Sequence, residues 1–266
     1  MIDTHSHIYS EEFDADSDYV IQSAKSAGVE HIILPNVDKD SLPRLLELVA
    51  QHPNYCYPCI GIHPTSIDAD FETELKWVKS ELDNPNYIAL GEIGIDLHWD
   101  KTYFEEQKIA FAQQIEWALA YKLPVIIHVR DSFRETMTLL DAFKNKGLEG
   151  VFHSFTGSVD EAKEIIDFGG FKLGINGIVT FKNSGLAQVL EHIELEHILL
   201  ETDSPYLTPT PHRGKRNESS YIKLICDKLA LVYKTHPEEI DIITTENALK
   251  LFRKIQFKKQ LSDFLL

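Results

Sequence analysis

Eight short apolar segments recur between the first residues and about position 200, separated by stretches with apolar residues at helical intervals. This beat most constrains the fold. The strand-like segments are Ile2–His5, Glu30–Leu34, Tyr55–Ile62, Tyr87–Leu90, Val125–His128, Gly150–His153, Phe171–Ile175 and His197–Leu200. Helical spacing predicts helices over Asp14–Ala27, with Gly28 as the C-cap, and near Lys39–Ala50, Phe71–Leu82, Tyr103–Tyr121, Phe133–Lys144, Asp160–Phe168 and Leu186–His192. A last helical region is expected from Ser220 to Lys254. Eight βα units in about 250 residues match the size and pattern of a closed (β/α)8 TIM barrel. A doubly wound open sheet shares the local pattern, but no Gly-x-Gly-x-x-Gly follows the first strand, which counts against a dinucleotide-binding version. No Pro- or Ser-rich linker divides the series, so residues 1–266 read as a single domain.

A chain of 266 residues with 43% hydrophobic and 26% charged residues has an ordinary globular composition. The first strand follows the initial Met directly, leaving no room for a leader, and no apolar run approaches the roughly 20 residues a membrane span needs. The expectation is a cytoplasmic protein with no membrane contact and no obligate protein partner. Three cysteines cannot build a disulfide framework. Cys56 and Cys59 have the C-x-x-C form, but they lie inside a strand-like segment, whereas a redox pair needs a site that stabilises a thiolate. The formal net charge of −16 argues against a protein that coats nucleic acid electrostatically. It does not exclude one that processes a nucleic-acid end, because metal ions can supply local positive charge.

Ligand-type residues sit at the predicted C-terminal ends of the strands. His5 and His7, at i and i+2 on an extended segment, project from one face and can converge on one ion. His63 follows strand three, Glu92 strand four, and Asp203 strand eight, while His128 and His153 end strands five and six. In a barrel that face carries the active site, because the βα loops converge there. Each residue has a bland reading: His63-Pro64 as a turn, Glu92 between glycines as a loop, Asp203-Ser204-Pro205 as a helix cap. Their shared register argues for a site instead. Four imidazoles (His5, His7, His128, His153) and two carboxylates suit two divalent ions such as Zn, Mg or Mn. Glu92 is the natural bridge, giving His5, His7, Glu92 and Asp203 on one ion and Glu92, His128 and His153 on the other.

The same stretches carry a family resemblance. Asp3-Thr4-His5-Ser6-His7, Gly61-Ile62-His63-Pro64, Gly91-Glu92-Ile93-Gly94-Ile95-Asp96, Ile127-His128-Val129-Arg130, His153-Ser154-Phe155-Thr156-Gly157, Leu200-Glu201-Thr202-Asp203-Ser204-Pro205-Tyr206-Leu207, and Arg213-Gly214 with Asn217-Glu218 resemble the motifs of the TatD family of metal-dependent deoxyribonucleases, within the wider amidohydrolase-like barrels. The resemblance spans essentially the whole chain. It implies a TIM barrel, a divalent metal centre with His5, His7, Glu92, His128, His153 and Asp203 as ligands, and phosphodiester hydrolysis, here as 3′–5′ exonuclease trimming of DNA ends. Two loops depart from the pattern. Leu97-His98-Trp99 stands where the family usually has aromatic residues, and Ser219-Ser220 where a Pro is common. Both bear on substrate preference, and the exposed loop residue His98 reads either as a substrate contact or, as a lone loop histidine, as incidental to the chemistry.

The chemistry expected of such a site is attack on phosphorus by a metal-activated water. Asp203 is the candidate for positioning that water and taking its proton. Glu92 serves as the bridge. Glu201, two residues before Asp203 and on the same strand face, is placed either to orient a ligand histidine or to pack in the barrel. His63 and Arg213 are the candidate phosphate contacts, the latter because guanidinium matches phosphate oxygens in pairs. The dense basic stretch His212-Arg213-Gly214-Lys215-Arg216 lies in the loop after strand eight, where barrels often bind phosphate, although a charge run is usually a solvated face. Single-stranded or end-frayed DNA is the expected substrate. Two alternatives remain at this level: an amide or ester hydrolase on the same barrel, including one for aminoacyl esters on RNA, and a metal-binding scaffold without catalysis. Many relatives of the first kind bridge their metals with a carboxylated Lys, so Glu92 weakens it, and the intact ligand set weakens the second.

Overall fold

The computed structural model describes residues 1–255; the last residues of the expected 1–266 domain lie outside them. Eight parallel strands form two groups in sequence order. The first holds β1 (Ile2–Asp3), β2 (His31–Leu34) and β3 (Cys56–Pro58); the second holds β4 (Leu90–Asp96), β5 (Val125–Arg130), β6 (Gly150–Phe152), β7 (Phe171–Ile175) and β8 (Ile198–Leu200). Parallel bridges join the groups at both seams, Ile60 with Leu90 and Ser6 with Ser204. Backbone hydrogen bonds reinforce them, from Gly91 N to the Ile60 carbonyl at 2.8 Å and from His7 N to the Ser204 carbonyl at 2.7 Å. The strand circle therefore completes as the eight-unit periodicity predicts.

Between the strands run α1 (Ser17–Ser26), α2 (Leu42–Gln51), α3 (Phe71–Glu81), α4 (Phe104–Tyr121), α5 (Phe133–Leu140), α6 (Val159–Phe168) and α7 (Leu186–Leu190), followed by α8 (Ile222–Tyr233) and α9 (Pro237–Leu251). Local chemistry sets several boundaries. Ser158 and Glu161 form a reciprocal capping box at the start of α6. The single helical region expected over Ser220–Lys254 is two helices, because Lys234 ends α8 in the left-handed region (φ 55°) and Pro237 opens α9, where its missing N–H is harmless. The fourth strand starts at Leu90 and runs through Asp96, later than the Tyr87–Leu90 span the sequence suggests. Glycines frame Glu92 and make the segment look like a loop. Pairing with β5, Ile93 to Ile127 through Asp96 to Arg130, makes it a strand.

Side-chain alternation divides the interior into layers. Ile126, Val151 and Leu199 join Ile2, Ile33, Tyr57 and Cys59 in an apolar cluster that α9 and the residues after it complete with Ala248, Leu251, Phe252 and Ile255. Two residues on along the same strand faces come His128, His153 and Glu201, and two beyond Gly61, four beyond Cys59, comes His63. A buried polar layer thus rests on an apolar floor. Burial pushes the Cys56 thiol up to about 12 and that of Cys59 higher still, so neither supplies a thiolate.

Candidate metal centre

Glu92 stands at the middle of the polar layer, 2% exposed, and its two oxygens face different groups. Oε2 lies 3.1 Å from His5 Nε2 and 3.6 Å from His7 Nε2, and each of those nitrogens is 3.6 Å from Asp203 Oδ1. Oε1 lies 2.9 Å from His128 Nδ1, 3.1 Å from His153 Nε2 and 3.3 Å from His63 Nε2. Ligand-type atoms fall within 4.8 Å of one another in three overlapping sets: His5, Glu92 and His153; His5, His7 and Asp203; and His63, Glu92 and His128. The six residues expected as ligands are thus gathered in one place, and His63 stands with them.

Hydrogen bonds fix what several of these imidazoles can do. Tyr9 donates its hydroxyl proton to the Pro35 carbonyl at 2.7 Å, so in its 2.9 Å bond to His7 Nδ1 the imidazole must be the donor. That leaves a lone pair on His7 Nε2, facing Glu92 and Asp203. His63 has the opposite tautomer: its Nδ1 accepts the Thr65 backbone N–H at 3.1 Å, so in the neutral ring Nε2 carries the proton and points a donor into the site. His128 reaches Asp96 Oδ2 through Nε2 at 2.9 Å, and His153 Nδ1 lies 3.3 Å from Glu201 Oε1. Such carboxylate partners orient a ligand imidazole and raise its basicity. Glu201, fully buried beside His153, also accepts the Ser154 N–H at 2.6 Å. A Cβ on Gly174 would meet Glu201 Oε2 at 2.2 Å, so the carboxylate fits only against glycine.

Asp96 and Tyr9 were not assigned roles from sequence. Glu92, Gly94 and Asp96 alternate onto one strand face, so the period-two rule that relates Glu201 to Asp203 points to Asp96 as well. Tyr9 had no such signal, because it lies beyond β1 in irregular chain.

The electrostatics fit a cation. Burial lowers His5 well below the usual imidazole range, His7 to about 4, and His63 below normal, so all three offer neutral rings. Burial would also lower His128 and His153, but Asp96 and Glu92 raise the first, and Glu92 and Glu201 raise the second well above normal. Burial opposes ionisation of Glu92, yet the surrounding imidazoles, His153 foremost, hold it well below the carboxylate range. Asp203, pushed up to about 8 chiefly by burial, is the acid in most need of a positive neighbour. Buried lone pairs converging on buried carboxylates are the donor set of a divalent ion.

The remaining sequence candidates are not part of the cluster of ligand-type atoms. His98 pairs with Asp131 at 2.8 Å and is half exposed. Arg213 is exposed with its guanidinium 3.6 Å over the Phe181 ring. Arg216 is held by both oxygens of Asp16, at 2.8 and 2.7 Å, so it serves the fold.

The model of the TatD-related DNase family matches residues 2–253. The chain belongs to that family. Relatives of the chain include an uncharacterised metal-dependent hydrolase of Bacillus subtilis (strain 168), YabD, 39% identical over 95% of this chain and 99% of its own. A protein of Yersinia pseudotuberculosis named as the 3′–5′ ssDNA/RNA exonuclease TatD is 30% identical over 96% of this chain and 100% of its own. The crystal structure of YjjV, a TatD homologue from Escherichia coli K12, superposes with a TM-score of 0.88 at 29% identity, covering 95% of this chain and 98% of that one. The protein is thus a TatD-family metal-dependent hydrolase with a TIM-barrel-like α/β fold. Among the described residues no helix is long and apolar enough to cross a membrane.

Proposed function

We propose that this TatD-family chain, as one barrel domain over residues 1–266, is a two-metal phosphodiesterase that trims single-stranded or frayed DNA from the 3′ end. The observation that carries the reading is Glu92, whose two oxygens each face a separate set of imidazoles at 2.9 to 3.6 Å. His5, His7, Glu92 and Asp203 would hold one ion, and Glu92, His128 and His153 the other. When bound, a pair of Mg, Mn or Zn ions polarises a phosphoryl oxygen and acidifies a water. The polypeptide does the rest. Asp203, touching the His5 and His7 side and 9% exposed, takes the water's proton on its carboxylate. His63 donates its Nε2 proton to a phosphate oxygen, and Asp96 and Glu201 keep His128 and His153 aimed. Arg213 meets a phosphate at the rim. The relative named as a 3′–5′ ssDNA/RNA exonuclease supports the polarity and the substrate class.

The test is metal-reconstituted protein assayed in parallel on single-stranded DNA, single-stranded RNA, duplex DNA, a small phosphodiester and an aminoacyl ester. Progressive shortening of DNA from its 3′ end is expected. Turnover of the aminoacyl ester with every phosphodiester left intact would replace this reading by the ester-hydrolase alternative.

A further inference from the structure

The metal-binding cluster is flanked by two exposed aromatic rings, Trp99 at 70% exposure and Tyr206 at 56%. Both are tied to ligands. On the Glu92 Oε1 side, Asp96 Oδ2 receives His128 Nε2 while its Oδ1 accepts the backbone N–H groups of His98 at 2.9 Å and Trp99 at 3.4 Å. One carboxylate thus holds both the ligand imidazole and the loop that presents the indole. The indole is braced: the Arg130 guanidinium lies 5.0 Å over its ring, and the His98 ring meets it nearly perpendicularly at 5.0 Å. On the Oε2 side, the Tyr206 ring centroid is 6.4 Å from that of His7. Its backbone is pinned by its own N–H to the Asp203 carbonyl at 2.8 Å, and by Asn217 Nδ2 to its carbonyl at 2.6 Å. An isolated exposed aromatic needs no explanation. Two of them, one on each side of a bridging carboxylate and each braced by a residue that also supports a ligand, do.

Resting on the phosphodiesterase reading, we propose that Trp99 and Tyr206 are stacking platforms for the nucleobases on either side of the cleaved phosphodiester. The phosphate sits over Glu92 and the flanking bases turn outward onto the two rings. Every base has a π-face, so this recognition is tolerant of sequence. It also supplies attraction that does not depend on charge, which suits a protein of net charge −16.

The experiment compares a short oligothymidylate with the same strand carrying abasic residues at its last two 3′ positions, so that the phosphates are unchanged and only the bases differ. With metal-reconstituted enzyme, the quantity read is the ratio of kcat/KM on the two strands. Wild type is expected to prefer the strand with bases. Trp99→Ala and Tyr206→Ala should each lower that ratio by about 10-fold or more, in the range of one lost stacking contact, whereas Trp99→Phe and Tyr206→Phe should retain it. Because the ratio is taken within each variant, a loss of folded or metal-loaded protein cancels. A ratio unchanged in either alanine variant overturns the platform at that position. Wild type that cuts both strands equally well overturns the stacking proposal and leaves the nuclease reading standing; wild type that cuts neither overturns both.

Discussion

Glu92 turns one carboxylate oxygen toward His5 and His7 and the other toward His63, His128 and His153, so its replacement separates bridging from mere packing. Glu92→Gln keeps the volume and exchanges a charged oxygen for an amide nitrogen, a poor bridge between two cations. Bound metal should fall from about two ions per chain toward one or none, with turnover falling together; two ions retained at full activity would remove the bridge. Asp203→Asn asks a different question, since the amide cannot accept the water's proton. The rate should drop by about 10² to 10⁴ with the fold intact by circular dichroism, and near wild-type turnover would take Asp203 out of the mechanism. These residues were legible because His, Glu and Asp stand out when several fall at strand ends in one register. Tyr9 was not legible. A tyrosine in irregular chain has no periodicity to mark it, and its role depends on the Pro35 carbonyl, which is 26 residues away in sequence.

At the scale of elements, apolar runs located seven of the strands, while the fourth was placed mostly too early, meeting β4 only at Leu90, because its edges are set by partners that sequence does not display. The glycines of Gly91-Glu92-Ile93-Gly94 read as turn residues, yet Gly94 sits mid-strand. A Cβ there would lie 2.0 Å from the His128 carbonyl oxygen, so the glycine answers a close approach of β5. The terminal helices show the converse. Helical spacing runs unbroken past Tyr233, and only the left-handed Lys234 and Pro237 divide it, which frees α9 to turn onto the apolar floor beneath the metal centre. Phe252, fully buried just past α9, packs in that floor with Ile2, Ile33 and Leu199. Truncating it leaves a cavity where the strands converge, so Phe252→Ala should cost about 3 to 5 kcal/mol, read as a lower denaturation midpoint. A loss well under about 1 kcal/mol would mean that α9 does not seal the floor.

For the molecule as a whole, the proposed function asks how a chain of net charge −16 would hold an anionic polymer. Salt dependence reports how many phosphates a protein neutralises, with a slope of about 0.7 per phosphate on a single strand. The basic stretch after β8 is shorter in effect than its sequence suggests, because Arg216 is paired with Asp16 and only Arg213 and Lys215 of its three Lys and Arg side chains are exposed. Attraction then comes from the metal centre, this short hook and stacking, of which only the first two respond to salt. Log affinity for single-stranded DNA should fall with log salt at a shallow slope of roughly −1 to −3. Arg213→Ala should flatten it by about one phosphate contact. A grip on so few phosphates also favours an exposed end over the interior of a duplex, so product lengths should shorten steadily from the 3′ terminus. A slope near about −6, or internal fragments appearing before any end is shortened, would require an extended basic track and would defeat the end-trimming account.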